Sequence, residues 1–181
     1  MKFTPTAIPD VVLIEPAVHR DARGFFLETF HATKFQAAGL DLRFVQDNHS
    51  RSQRGTLRGL HAQHARPQGK LVRALRGEIF DVAVDLRPGS PTFGKHVAAL
   101  LSDQNFHQLW VPPGFIHGFC VVSEMAEVEY KCTDLYAPGD EIGVVWNDAD
   151  LMIPWPVKEP ILSAKDAALP SLAALRQRLA R

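Results

Sequence analysis

The sequence lacks several features that would assign a protein class at once. Its two cysteines, Cys120 and Cys132, have no CxxC spacing, which argues against a zinc knuckle or a redox motif. Twenty basic and twenty acidic residues cancel, so no global field attracts nucleic acid or an anionic membrane. No apolar run approaches the roughly 18 residues of a membrane span, and Pro5 and Pro9 interrupt the place where a signal peptide needs an apolar core. We therefore expect a cytoplasmic protein with free thiols and neither a nucleic-acid nor a membrane partner.

Helical periodicity is also scarce through most of the chain. Short apolar or alternating runs follow one another instead, separated by turn-forming segments such as 112–114 and 137–140. Many short strands at a spacing of about 8–12 residues, without intervening helices, favour a sandwich or a barrel. The predicted strands are residues 44–49, 56–63, 70–75, 79–86, 96–101, 108–111, 118–122, 127–133 and 143–146.

The two ends of the chain carry the remaining predicted elements. At the start we predict strands at 11–14 and 25–27, a polar turn at 19–24 and a short helix over 31–38 that ends at Gly39. Near the end, Ser171 caps a helix in which Leu172, Leu175 and Leu179 share one face. No repeat or linker divides the chain, so we expect a single domain over 1–181, with a core at about 44–147, N-terminal strands in 1–43 and a loop and helix in 148–181.

The stretch 56–63 is predicted to be a strand that enters an active site. Regular alternation puts Leu57, Gly59 and His61 on one face and Arg58 on the other. A glycine inside a strand often marks a bulge, so Gly59 could reset this register. His61, at the end of the strand, is then a candidate for proton transfer.

The strand 79–86 alternates between apolar and acidic residues. Val82 and Val84 are expected on the packed face, while Asp81 and Asp85 lie on the other. Because ionised carboxylates are rarely buried without partners, we expect both to face solvent rather than a pocket.

Two kinds of chemistry fit the polar residues. His61, His64 and His117, with Asp81 or Glu78, could supply the nitrogen and oxygen ligands of zinc or iron. On a regular strand, however, residues three apart point to opposite faces, which disfavours a shared role for the first two histidines.

The second possibility is proton transfer without a metal, with His61 as general base and Tyr130 as general acid. Imidazole, with a reference pKa of about 6.5, accepts a proton at neutral pH, whereas phenol, at about 10, holds one and can release it to an enolate. A base and an acid on opposite sides of a carbon invert that carbon. The residues alone leave both possibilities open.

Seven blocks of the sequence together resemble the dTDP-4-dehydrorhamnose 3,5-epimerase family. They match the family in order and in near-matching spacing, almost from end to end, which is far more specific than any single block. The blocks are Arg23-Gly24-Phe25-Phe26-Leu27-Glu28, Gln46-Asp47-Asn48-His49-Ser50, Leu57-Arg58-Gly59-Leu60-His61, Gln68-Gly69-Lys70-Leu71-Val72, Phe80-Asp81-Val82-Ala83-Val84-Asp85, Pro113-Gly114-Phe115-Ile116-His117-Gly118-Phe119 and Tyr130-Lys131.

The resemblance implies a fold, a partner and a substrate. The fold would be all-β, a cupin-type double-stranded β-helix (jelly roll) with short peripheral helices, including one at the C-terminus. The protein would be a homodimer that needs no metal or cofactor and acts on a 4-keto-6-deoxy sugar carried by dTDP. In such a sugar C3 and C5 both flank the C4 ketone, so removal of either proton gives an enolate.

The resemblance also implies catalytic roles. His61 would be the base, Tyr130 the acid, and Asp166 the partner that makes His61 more basic, because a nearby carboxylate stabilises imidazolium. Lys70, helped by Arg58, would stabilise the charge that grows on the C4 oxygen.

The substrate-binding residues implied by the family pattern lie mostly along the nucleotide. Arginine binds phosphate in a bidentate manner, so a chain without net charge can still hold an anionic ligand. Asp81 would support this set near the sugar. The implied residues are Arg23, Phe26, Glu28, Gln46, Asp47, Asn48, Arg58, Lys70, His117, Tyr136, Glu141 and Lys165.

One segment departs from the family pattern. At 62–67 an aromatic residue is missing and the loop is shortened, which affects the local pocket wall but not the acid and base residues.

The implied function is a double epimerisation that makes dTDP-4-dehydro-L-rhamnose, a step towards dTDP-L-rhamnose. A relative that inverts only C3 or only C5 is the nearest alternative, because the same base and acid serve both reactions. A metal-dependent cupin and a non-catalytic nucleotide-sugar-binding barrel are alternatives from other classes.

Overall fold

The computed structural model of the chain describes residues 1–179, which form thirteen strands and three short helices. No helix in these residues has the length and apolar character needed to cross a membrane. The strands are β1 Lys2–Pro5, β2 Val12–Glu15, β3 Val18–Asp21, β4 Gly24–Leu27, β5 Gln46–Gln53, β6 Leu57–Gln63, β7 Lys70–Arg76, β8 Glu78–Asp85, β9 His96–Ser102, β10 Gln108–Val111, β11 Phe115–Val121, β12 Met125–Cys132 and β13 Glu141–Gly143. The helices are α1 Ala32–Ala37, α2 Ala164–Ala167 and α3 Leu172–Leu179.

Two antiparallel sheets face each other. One has six strands in the order β1-β2-β10-β7-β12-β5, and the other has five in the order β13-β6-β11-β8-β9. The hairpin of β3 and β4 belongs to neither sheet. This arrangement confirms the predicted all-β, cupin-type jelly roll with short peripheral helices.

The main apolar core lies between the two sheets. Val72 and Leu109 of the six-stranded sheet pack with Ile79, Leu101 and Phe119 of the five-stranded sheet, and all five side chains are nearly or fully buried. Burying a side chain of this size contributes about 1.5–3 kcal/mol. The core therefore fixes the separation of the sheets and supports the cavities at one end of the barrel.

The predicted helices at the two ends cover the outer faces of the sheets. Helix α1 buries Phe35 against the six-stranded sheet and stops before Gly39, whose φ of +84° suits a glycine. Helix α3 packs Leu172 and Leu175 on the five-stranded sheet, and Ser171 Oγ accepts a hydrogen bond at its start, as predicted. Leu179 is more exposed than the apolar stripe implied. Residues 180 and 181 of the predicted C-terminal segment lie outside the described residues.

The predicted turn at 19–24 is wrong, because most of it forms strand. Residues 18–21 pair with 24–27 as a hairpin, in the register Arg20 to Phe25. Both faces of this hairpin are largely exposed, so the sequence has no apolar alternation that could reveal the first strand. The short elements β1 and α2 were also missed, since four residues carry too little pattern.

The predicted exposure of Asp81 and Asp85 is also wrong, because both are fully buried. Strand β8 has the opposite sheet on one face and α3 on the other, so neither face meets solvent. Each carboxylate has partners that alternation could not show: His117 for Asp81, and Arg87, Ser90 and Thr92 for Asp85.

Asp85, the last residue of β8, is the centre of a hydrogen-bond network with the loop that follows the strand. Its oxygens accept hydrogen bonds from Arg87 Nε at 3.0 Å and Nη2 at 2.8 Å, and from the Ser90 and Thr92 hydroxyls at 2.6 Å each. Burial alone would raise the pKa of Asp85, but these donors hold the pKa well below its usual range. The network therefore stabilises the fold only while this carboxylate is ionised.

We predict that Asp85→Asn lowers the free energy of unfolding at pH 7 by about 2–4 kcal/mol, because it breaks a buried ion pair and leaves donors unpaired. The folded-state pKa is depressed, so the contribution is present above the unfolded pKa of about 3.9 and is lost as pH falls below it. Urea denaturation at pH 7 and at acidic pH measures both effects. The exposed Asp41→Asn is the control, and equal stability of both variants at pH 7 would contradict the assignment.

Candidate active site

A bulge in β6 brings two predicted site residues to one side. His61 pairs with His117 and Arg58 pairs with Phe119, so β6 advances three residues where β11 advances two. Arg58 and His61 therefore line the same cavity, although regular alternation would have separated them. Gly59 is required at the bulge, because its φ is +111° and a Cβ there would come within 2.6 Å of the His117 carbonyl oxygen. The predicted bulge at this glycine is confirmed.

Two adjoining cavities lie beside strand β6. The first has a volume of about 400 Å³ and the second of about 210 Å³. His61, Lys70 and Tyr130 line both, so they stand at the junction. Residues 161–166, named here the C-terminal strap, form one wall of the first cavity, and Ile161 of the strap bridges to Thr56 beside β6.

The closest polar contact in the first cavity joins His61 to Asp166. His61 Nε2 lies 2.7 Å from Asp166 Oδ1, and the Gly59 amide donates to Oδ2 of the same carboxylate at 3.4 Å. Asp166 is buried on α2, and Ser163 fixes the start of that helix by accepting from the Asp166 amide at 3.0 Å.

The protonation of this pair follows from its surroundings. Burial alone would raise the pKa of Asp166, but the hydrogen bonds from His61 and Gly59 lower it below its ordinary value. An ionised carboxylate only accepts hydrogen bonds, so His61 Nε2 carries the proton in this contact. The lone pair of neutral His61 is then on Nδ1, as a general base requires.

Tyr130 and Lys70 lie on the opposite sheet from His61. They belong to the neighbouring strands β12 and β7, and Lys70 Nζ is 5.9 Å from the centre of the Tyr130 ring. Burial raises the pKa of the Tyr130 phenol and lowers the pKa of the Lys70 ammonium. The His61 ring therefore faces a protonated phenol across the cavity, with the Lys70 side chain beside the phenol.

A second histidine and aspartate pair lies next to the first. His117 Nε2 is 2.8 Å from Asp81 Oδ1, and both side chains are buried. The His117 ring lines the first cavity, 6.4 Å from the Tyr130 ring, and Asp81 lies behind it. Among the described residues, Asp81 Oδ2 has no hydrogen-bond partner.

Predicted substrate ligands line the second cavity. Gln46, Asn48, Tyr136 and Glu141 are all on its wall. Glu141 Oε1 contacts Lys165 Nζ at 2.5 Å and lies 4.0 Å from His61 Nε2, and this ion pair raises the pKa of Lys165.

Arg58 is oriented towards the first cavity by a neighbouring strand. Its Nε donates to Ser52 Oγ at 3.0 Å, and the remainder of the guanidinium is available to an anion. Arg58 and Lys70 are thus two cations on the wall of a cavity in a chain without net charge.

Four predicted substrate-binding residues do not line either cavity. Asp47 points to the outer face of β5, where it pairs with Lys131 at 2.8 Å. The other three, Arg23, Phe26 and Glu28, lie on or just after the β3–β4 hairpin. Phe26 is 71% exposed there, so a single chain gives it no site to fill.

The three histidines of the metal hypothesis are not brought together. His61 and His117 are adjacent, but His64 is exposed in the loop after β6, where Asp140 accepts hydrogen bonds from neighbouring backbone amides. No group of three His, Cys, Asp or Glu side chains within residues 1–179 is placed to hold a metal ion.

Sequence reasoning missed several residues of the cavity walls. The alternation of β5 could have found Ser50, because it shares a face with Gln46 and Asn48. The loop residue Ile161 carries no comparable pattern, since its position depends on a contact with residue 56, more than a hundred residues earlier.

The loop that departs from the family pattern is held by a buried side chain. Gln63 donates to the carbonyl oxygens of Arg66 and Leu135, and it accepts from the Ala137 amide. Of the departing segment 62–67, the last two residues of β6, Ala62 and Gln63, line the second cavity and so form part of its wall.

Comparisons with known proteins show which family this chain resembles. The family model described as dTDP-4-dehydrorhamnose 3,5-epimerase matches residues 5–174. A dTDP-4-dehydrorhamnose 3,5-epimerase of Pseudomonas aeruginosa is 58% identical over 92% of this chain and 93% of the relative. A dTDP-4-dehydrorhamnose 3-epimerase of Streptomyces niveus is 40% identical over 92% of this chain and 81% of the relative.

A solved structure extends the similarity to the fold. The dTDP-6-deoxy-D-glucose-3,5-epimerase of Legionella pneumophila Philadelphia 1, in complex with dTDP-4-keto-L-rhamnose, has a TM-score of 0.92 and 50% identity, and the match covers 96% of each chain. With a family model over residues 5–174 and relatives of this identity, the chain belongs to the dTDP-4-dehydrorhamnose 3,5-epimerase family.

Proposed function

We propose that this protein inverts C3 and C5 of dTDP-4-dehydro-6-deoxy-D-glucose and so makes dTDP-4-dehydro-L-rhamnose, the epimerisation step of dTDP-L-rhamnose biosynthesis. The observation that carries the proposal is the contact of His61, on one sheet, with Asp166 of helix α2. Tyr130 lies on the other sheet, across a shared cavity. The reaction needs no metal or cofactor, because each proton transfer has a side chain of this protein to perform it.

The substrate's stereochemistry fits one base and one acid. In the chair form of the starting sugar, H3 and H5 are both axial on the same face of the ring. His61 Nδ1 removes one of these protons while Asp166 stabilises the imidazolium that forms. Tyr130 then donates a proton to the other face of the planar enolate, which inverts that carbon. Exchange with water then takes the proton from His61 and returns one to Tyr130, and the same pair repeats the sequence at the second carbon.

Lys70 and Arg58 stabilise the intermediate. Proton loss beside the ketone moves negative charge onto the C4 oxygen, and a preorganised cation in a site shielded from water is typically worth about 3–4 kcal/mol there. Lys70 lies beside the Tyr130 ring, so it can meet that oxygen close to the acid. His117, held by Asp81, supports the sugar on the cavity floor.

The nucleotide end extends from the first cavity into the second. Arg58 and Lys165 supply positive charge for the pyrophosphate, and Gln46 and Asn48 supply amide donors. Tyr136 is half exposed at the second cavity, where its ring can stack on a base.

The remaining predicted ligands require a second copy of the chain. Arg23, Phe26 and Glu28 sit together at the exposed β3–β4 hairpin, apart from both cavities of their own chain. We assign the protein as a homodimer in which this hairpin supplies these three residues to the neighbouring subunit's site. Asp47 has no place in the two cavities, and its assignment rests on the family pattern alone.

The assignment includes one epimerase domain over 1–181 and a location in the cytoplasm. The family model over residues 5–174 supports the single domain. The two free thiols, Cys120 and Cys132, support a reducing compartment.

The reaction is tested by NMR of dTDP-4-keto-6-deoxy-D-glucose incubated with the protein in D₂O. We expect deuterium at both C3 and C5, and the L-sugar after a reductase traps the product. Label at one carbon only would identify a single-site epimerase instead. No label at either carbon, with ligand bound, would leave a binding protein.

In the same assay His61→Ala should lose about 10²–10⁴-fold in rate, as expected for removal of a general base. His64→Ala is the matched control, because it lies three residues along and outside both cavities, and it should keep the wild-type rate. Equal loss of activity in both variants would contradict the base assignment and favour a shared histidine site.

The dimer assignment predicts complementation between inactive variants. Arg23 and His61 of one active site would come from different subunits. A heterodimer of Arg23→Ala with His61→Ala, purified with two tags, therefore has one intact site and one site that lacks both residues. It should recover about half the wild-type activity. The control heterodimer of His61→Ala with Tyr130→Phe should recover none, because each of its sites lacks one residue. A monomer in solution, or no recovery in the first heterodimer, would refute the assignment.

A further inference from the structure

The wall of the second cavity contains a directed chain of hydrogen bonds that ends at a buried thiol. The Tyr136 amide donates to Gln46 Oε1 at 2.8 Å, Gln46 Nε2 donates to Asn48 Oδ1 at 3.0 Å, and Asn48 Nδ2 donates to Cys132 Sγ at 3.4 Å. Gln46 and Asn48 line the cavity, and Cys132 lies behind them, fully buried. The chain thus connects two predicted substrate ligands to a residue that no cavity includes.

The Tyr136 end of this hydrogen-bond chain fixes the direction of both amides. A backbone N–H can only donate, so Gln46 must present its oxygen to Tyr136 and its nitrogen to Asn48. Asn48 must then present its own nitrogen to Cys132, whose sulfur has lone pairs to accept it. Each amide nitrogen keeps a second hydrogen that the chain does not use. The wall therefore offers amide donors to a ligand, beside the Lys70 ammonium, and it suits an acceptor such as a phosphate or carbonyl oxygen.

Cys132 is well placed to hold this arrangement. In the sheet it is directly opposite Gln46 on one side and Lys70 on the other, so it lies between the amides and the cation. Burial raises the pKa of the Cys132 thiol, and this effect outweighs the neighbouring ammonium and amide, which lower it. The sulfur thus stays a neutral thiol, able to accept from Asn48 without competing for Lys70 as an anion.

We propose that Cys132 is a positioning residue for substrate binding, because its sulfur accepts from Asn48 and so anchors the amides of Asn48 and Gln46, whose direction the Tyr136 amide sets, as donors towards the acceptor oxygens of the nucleotide sugar. This inference rests on the proposed function and adds to it a residue that acts through Asn48 and does not touch the substrate. It places the role of the thiol in affinity and leaves the proton transfers at His61 and Tyr130 unchanged.

The chain offers a matched pair of cysteines for the test. Cys120 is a second buried thiol in a strand, but its sulfur contacts only the next carbonyl, at 3.8 Å, and it lines neither cavity. Cys132→Val removes the acceptor and adds about one methyl group of volume. Cys132→Ser keeps an acceptor, and Cys120→Val makes the same change in size and polarity away from this hydrogen-bond chain. Melting temperatures of all three variants separate loss of packing from loss of binding.

Cys132→Val should raise KM for the nucleotide sugar by about three- to tenfold, the loss expected when one hydrogen bond no longer orients its group. The dissociation constant of dTDP alone should rise by the same factor, while kcat changes by less than about twofold. Cys132→Ser should restore both constants, and Cys120→Val should leave both unchanged. In an Asn48→Ala background, Cys132→Val should have no further effect.

Several results would overturn this inference. They are unchanged KM and dTDP affinity in folded Cys132→Val, a loss confined to kcat, equal effects in Cys120→Val, or effects that add to those of Asn48→Ala. If Cys132→Val does not fold, Cys132→Ala removes the same acceptor and is measured in its place. Binding of dTDP needs no turnover, so the outcome is distinguishable from failure of the proposed reaction, which wild-type exchange in D₂O reports separately.

Discussion

The hydrogen bond between His61 and Asp166 joins two parts of the structure that are distant in sequence. His61 comes from β6 in the barrel, and Asp166 comes from the C-terminal strap more than a hundred residues later. The contact closes one wall of the first cavity and also sets which nitrogen of His61 carries a proton. In the proposed mechanism His61 can act as the base only when the strap is folded onto the barrel, so folding and catalysis would depend on one short contact.

The opposing sheets provide the second constraint. Inverting a carbon requires an acid on the face opposite to the base, and a jelly roll supplies two walls that face each other across a core of fixed thickness. Burial raises the pKa of the Tyr130 phenol and so keeps it protonated on the wall opposite His61. The same desolvation lowers the pKa of Lys70 and strengthens electrostatic interactions beside it. The same burial thus shifts the pKa values of both Tyr130 and Lys70.

The sequence allowed much of this site to be predicted, but for unequal reasons. The strands of the barrel are short apolar or alternating runs between turn-forming segments, and the bulge at Gly59 was foreseeable because a glycine interrupts a strand. The burial of Asp81 and Asp85 was not, since it depends on partners at 117 and 87–92 that the strand pattern does not contain. The pairing of Asp166 with His61 came from the family resemblance, because a four-residue helix carries no pattern of its own. The sequence indicates only a free thiol at Cys132. The hydrogen bond from Asn48, which the structure shows, gives this thiol a further role.

The central claim is that one side chain removes the proton and another, on the opposite wall, returns it. It is tested most directly by Tyr130→Phe in D₂O, following deuterium exchange and inversion at C3 and C5 in the same sample. The account predicts that the variant still exchanges substrate protons through His61 but forms little inverted product, because the phenol that protonates the far face is missing. Inversion at the wild-type rate would contradict the assignment of Tyr130 as the acid.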